Sequence, residues 1–105
     1  MTDALLIFEI VEQVTGTTTV AWKTGEKDAK VKMAIRTVVF MLTRYTTLPD
    51  FEIARLLFTD TQQVMLWKTR MFTKLTPEDK DLRKQADDLY RIKIHELTKL
   101  ANGKI

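Results

Sequence analysis

The chain has 105 residues, 45% of them hydrophobic and 30% charged, with a formal net charge of +3. That length allows one core and hence one domain, and the ordinary apolar share predicts folding rather than disorder. The lack of cysteine excludes disulfides, thiolate nucleophiles and thiolate metal sites, and points to a reducing, cytoplasmic setting.

The first predicted element is a helix over Asp3 to Val14. Leu6, Ile7, Ile10, Val11 and Val14 form its apolar stripe, with Glu9, Glu12 and Gln13 opposite. Its acids, and the absence of a basic start or small-residue cleavage site, argue against a signal peptide or a membrane span. Gly16 closes this helix in the left-handed conformation. The run TTTVAWKT is expected to form a short helical turn after a threonine cap, because a lone strand would have nothing to pair with. Val20 and Trp22 should tuck beneath the core.

From Asp28 to about Thr46 runs the longest helical pattern, the central helix. Val31, Ala34, Ile35, Val38, Met41, Leu42 and Tyr45 make the buried stripe, while Lys32, Arg36, Thr43 and Arg44 lie on or near the other side. Leu48-Pro49-Asp50 breaks it, since a residue before proline is pushed out of helical geometry. Pro49 and Asp50 open the next helix.

Two short helices joined by a turn, over about 49–72, then carry the most informative pattern. Ile53, Leu56 and Leu57 recur at helical spacing, Thr59, Asp60 and Thr61 interrupt, and Val64, Trp67 and Met71 resume. Asp60 suits the cap of the second helix. A DNA-binding helix-turn-helix needs a small residue at the crossing and a branched apolar residue ten positions later, and Ala54 and Val64 have that spacing. Thr61, Gln62, Gln63, Lys68 and Arg70 should face outwards, towards base edges and phosphates in a major groove. Gln62 and Gln63 could each make the bidentate contact to adenine. The turn carries no Gly, so it should be longer than standard, with Thr59 or Asp60 in the awkward backbone conformation.

The last element starts at Thr76, with Pro77 in the first helical position and Glu78 and Asp79 in the first turn. It should run to about Ala101, ending at Lys99, Asn102 and Gly103. Ala86, Tyr90, Ile94, Leu97 and Ala101 form one stripe, and Arg83, Asp87 and Arg91 can pair at four-residue intervals. At roughly 25 residues it would reach nearly 40 Å, so part of it should project. Leu82, Leu89 and Ile92 lie off the main stripe, a second seam that could pair with another copy in a homodimer. Met33, Met41, Met65 and Met71 read as gap-fillers, Trp67 as core, and Asp87 with Asp88 as a solvated face.

Charge is unevenly placed. Up to Trp22 every charged residue is acidic, whereas Lys23, Lys27, Lys30, Lys32, Arg36 and Arg44 face only Glu26 and Asp28 in the next stretch. Lys68, Arg70 and Lys74 follow without an acid between Thr61 and Leu75. These basic stretches flank the helix pair, where phosphate contacts would be wanted. No pairing of nucleophile and base, and no set of metal ligands around the lone His95, suggests an enzyme or a cofactor.

Three runs give a family resemblance: Arg36-Thr-Val-Val-Phe-Met-Leu-Thr-Arg44, Glu52-Ile53-Ala54-Arg55 and Asp60-Thr61-Gln62-Gln63-Val64. Together they resemble the C-terminal DNA-binding domain of the bacterial replication initiator DnaA, in the Trp-repressor-like group, over about two thirds of the chain. The resemblance implies an all-α bundle containing a helix-turn-helix, to which the long C-terminal helix is an addition. It implies base reading by Asp60, Thr61 and Gln62, and phosphate contacts from Arg36, Lys30 and Lys32. Thr61 replaces the family's histidine and Gln62 the next hydroxyl, so the family's target sequence does not carry over. Ala34 stands where many members are basic. No phosphate-cradling glycine loop is present, so no ATPase module accompanies the domain. The expectation is therefore a double-stranded DNA-binding protein of replication or transcription control. The alternative is a helical protein–protein interaction or adaptor module on the same scaffold.

Overall fold

In a computed structural model, residues 3–23, 28–71, 73 and 75–102 are described, with Asp3, Ala101 and Asn102 described without their side chains. The described residues form helices and no strand: α1 (Asp3–Thr15), α2 (Thr19–Lys23), α3 (Ala29–Tyr45), α4 (Asp50–Leu56), α5 (Thr61–Arg70) and α6 (Pro77–Asn102). The all-α class is thus as expected. Lys27, Phe72, Lys74 and Gly103 lie outside the described residues. Among the described residues, no helix is long and apolar enough to cross a membrane.

Side-chain caps explain most of the boundaries. Gly16 ends α1 at φ 69° and donates its N–H to the Glu12 carbonyl at 2.9 Å. The Thr18 hydroxyl accepts from Ala21 N at 3.2 Å and Glu12 Oε2 from Thr19 N at 2.8 Å, so the start of α2 is capped twice. Asp28 caps α3 by accepting from Lys30 N at 2.7 Å. Asp60 caps α5 by accepting from Gln63 N at 2.8 Å. Pro49 is the cap residue of α4 and has no side-chain bond to offer, leaving Asp50 and Glu52 to complement the helix dipole. At the head of α6, the Thr76 hydroxyl accepts from Asp79 N at 3.1 Å while Asp79 Oδ2 accepts from Thr76 N at 3.3 Å, a reciprocal capping box.

Helix α3 is the axis, packed against α1, α2, α5 and α6. Ile7, Ile10 and Val11 of α1 meet Val38, Met41 and Leu42 of α3 in a core that also takes Ile53, Val64 and Ala86. Full burial of each of the larger aliphatic side chains is worth about 1.5–3 kcal/mol. Trp22 is buried with its ring edge on Phe8, centroids 5.8 Å apart, and its indole N–H donates to the Thr17 hydroxyl at 2.8 Å. Val20, expected beneath the core, is 70% exposed. One short helical turn can bury only one face, and Trp22 occupies it.

Two ties join α3 to α6. Tyr45 stacks on Tyr90 with centroids 4.1 Å apart, and its hydroxyl donates to Asp87. Asp87 also receives Arg91 at 3.1 Å and Arg44 at 3.4 Å, so it is a junction between helices rather than a solvated face. Arg83 departs from the expected ladder: it is buried, with its guanidinium 4.6 Å from the centre of the Phe40 ring. Burial chiefly lowers its pKa, the Asp79 charge opposes this, and Arg36 adds to the lowering. Leu89 packs on the core, whereas Ile92 and Leu97 are exposed, and every side chain from His95 to Leu100 faces solvent. The end of α6 does project.

Candidate nucleic-acid interface

Helices α4 and α5 are joined by Leu57, Phe58, Thr59 and Asp60. Ala54 and Val64 are both buried, at 4% and 0% exposure, which lets α5 seat against the bundle. The chain reverses at Phe58, whose φ is 53°, and Thr59 N then bonds the Ala54 carbonyl at 2.9 Å. The strained backbone therefore falls on Phe58, not on Thr59 or Asp60. The turn is short because this one residue accepts the left-handed conformation that glycine usually supplies.

The face that α5 presents to solvent carries Thr61, Gln62, Met65, Leu66, Thr69 and Arg70. Met65 and Leu66 are 54% and 40% exposed, so Met65 is no core filler and the face is more apolar than the sequence suggested. Gln63 is half-buried, because its position turns it towards α3. Lys68 bonds Asp50 of α4, tying the two helices instead of projecting freely. Asp60 spends one carboxylate oxygen on its cap and remains exposed.

Beside that face lies a groove of about 520 Å³ between α2, α3 and the α4–α5 turn. Lys23, Lys32, Arg36 and Arg70 line it together with Gln63 and Trp67. Cations distant in the chain thus converge next to α5. Arg36 is partly neutralised there, since its Nη2 bonds Asp79 Oδ1 at 3.0 Å and its Nε bonds the same oxygen at 3.3 Å. Burial pushes the Asp79 carboxyl up. The bonds from Arg36 and Thr76 outweigh that and hold it below the usual carboxylate range.

Lys30 belongs elsewhere. It lines a recess with Val14, Met33, Glu78, Asp81 and Leu82, on a different side of α3 from Lys32. Two residues along a helix turn the side chain to the far side, so a run of lysines in sequence does not make one patch in space. Lys23 and Phe58 are the groove residues that sequence reasoning missed. Lys23 was legible in the basic run, but Phe58 gave no signal, because a bulky aromatic is not expected at φ near 50°.

The fold and the groove define an all-α protein with a compact bundle and a long C-terminal helix. No family model matches the chain, and no curated protein or solved structure matches it.

Proposed function

We propose that the chain is a double-stranded DNA-binding module that uses α4 and α5 as a helix-turn-helix, as its resemblance to the DnaA C-terminal domain implies. The single observation carrying this reading is the pair Ala54 and Val64, buried on either side of the left-handed Phe58. That arrangement seats α5 on the bundle through Val64 and leaves Thr61, Gln62, Met65 and Leu66 exposed. Thr61 and Gln62 then offer hydrogen bonds to base edges, and Met65 and Leu66 offer apolar contact to thymine methyls. Lys23, Lys32, Arg36 and Arg70, with Lys68 at the side, hold the backbone phosphates. Replication or transcription control in the cytoplasm is the corresponding role.

Titration of a random-sequence duplex at increasing salt tests this. With about four phosphate contacts, affinity should fall roughly a hundredfold between 50 and 200 mM salt. No binding above background at low salt would exclude the module from DNA work.

A second reading, a protein–protein interaction or adaptor module on the same scaffold, is favoured by one observation. Phe51, Phe58, Met65 and Leu66 are all 40% exposed or more around α4 and α5. A partner bound through these side chains would hold with little loss of affinity as salt rises.

A further inference from the structure

The groove between α2, α3 and the α4–α5 turn has a composition that duplex phosphates do not require. Its volume, about 520 Å³, is in the range that encloses small organic molecules. Trp22 contributes to its lining from the core, Trp67 is half-buried along it, and Phe58 stands exposed at its edge. A duplex offers phosphates on its outside and keeps its rings in the stack, so it leaves these aromatic surfaces unused. Lys23, Lys32, Arg36 and Arg70 bring positive charge to the same space, and no Asp or Glu lines it among the described residues.

Phe58 is the independent observation. It holds a left-handed backbone, φ 53°, yet its ring is 72% exposed, so burial does not offset the strain. The ring instead lies under Lys23, whose Nζ is 4.7 Å from its centre. A glycine would make the same turn without strain. That one exposed cation contact, worth about 0.5–1 kcal/mol, does not offset a left-handed residue's cost of about 1–2 kcal/mol, and strain kept without full return marks a place where the side chain is used.

We propose that this groove binds a planar aromatic ring bearing a negative group, either a nucleoside monophosphate or an aryl carboxylate. The ring lies against Phe58 and Trp67, and the anionic group meets Arg70 and Lys32. The proposal goes beyond DNA binding and does not depend on it.

The experiment titrates the whole ¹⁵N-labelled chain with adenosine monophosphate, 1-naphthoate, adenosine and inorganic phosphate, each followed by calorimetry and amide and indole N–H shifts. One of the two ring-bearing anions should bind saturably, shift the Trp67 indole and Phe58 amide signals, and bind at least tenfold tighter than adenosine or phosphate. Phe58→Gly and Arg70→Gln should each weaken it at least tenfold while the remaining spectrum stays folded. Binding of the monophosphate assigns a nucleotide, and binding of naphthoate alone assigns an aryl carboxylate. The proposal is overturned if neither binds, if phosphate alone binds as tightly, or if either variant keeps the original affinity. Duplex binding is measured on the same samples. Its survival when the ring-bearing anions fail would overturn this inference alone.

Discussion

The Arg36 guanidinium of α3 bonds the Asp79 carboxylate at the head of α6, Nη2 to Oδ1 at 3.0 Å, across 43 residues of chain. Asp79 is nearly closed to solvent, while Arg36 is about one-third exposed towards the groove. The same carboxylate closes the capping box with Thr76, so one side chain starts a helix and fixes it to its neighbour.

Replacing Asp79 with Ala should therefore cost about 2–4 kcal/mol, combining a lost cap with lost bonds to a charged group. Urea unfolding measures it. Asp79→Asn gives the pH signature. Because the folded-state pKa is lowered, the carboxylate's contribution is complete above the unfolded value, about 3.9. It declines as pH falls from there through the lower folded value. The stability gap between the native chain and Asp79→Asn should thus be constant from pH 7 to 5 and shrink below pH 4. A gap that stayed constant to pH 2 would show that the ion pair contributes nothing.

Phe58→Gly should stabilise the fold by about 0.5–1 kcal/mol, because relief of the left-handed strain outweighs loss of a mostly exposed ring and the added freedom of the unfolded chain. Phe58→Val should do the opposite, since a β-branched residue tolerates that backbone least. Denaturation midpoints of the two variants, ordered Gly above native above Val, check the assignment.

The seat of α5 depends on two side chains of fixed size. Ala54→Leu should overpack the junction by about 1–3 kcal/mol, and Val64→Ala should leave a void costing about 2 kcal/mol. Both are read by thermal unfolding. Duplex binding should drop far more in Ala54→Leu than in surface variants, because the displaced α5 would no longer present Thr61 and Gln62 together.

On DNA the cations should divide by location. Arg70→Ala should weaken binding to every sequence and lower the salt slope by about one, whereas Gln62→Ala should relax sequence preference by about 1–3 kcal/mol with less effect on random duplex. Lys30→Ala should leave affinity within about twofold, since Lys30 lies in the other recess beside Glu78 and Asp81. Electrophoretic mobility shifts with random and selected duplexes separate the three outcomes.

The helices were legible because their ends are written locally. Asp28, Asp60 and Thr76 cap within three residues, and Gly16 closes α1 where the apolar stripe stops. The buried stripe of α3 was legible for the same reason, as periodicity alone picks out Val31, Ala34, Val38, Met41 and Leu42. The site was only half legible. Convergence of Lys32, Arg36 and Arg70 followed from their flanking positions, but Arg36 with Asp79 and Lys68 with Asp50 depend on how helices cross, which sequence spacing does not encode. The outward turn of Met65 and the inward turn of Gln63 hinge on a rotation of α5 of a fraction of a turn. Apolar periodicity over so short a helix leaves that rotation loosely determined.

From His95 to Leu100 nothing of the bundle touches α6 closely enough to bury a side chain. Ile94 is the last side chain packed on the core, so the free end from there to Leu100 measures about 9 Å. Because Asp79, Asp87 and Tyr90 hold α6 to α3 at separate points, a load on the free end is borne by those ties before it reaches the groove wall.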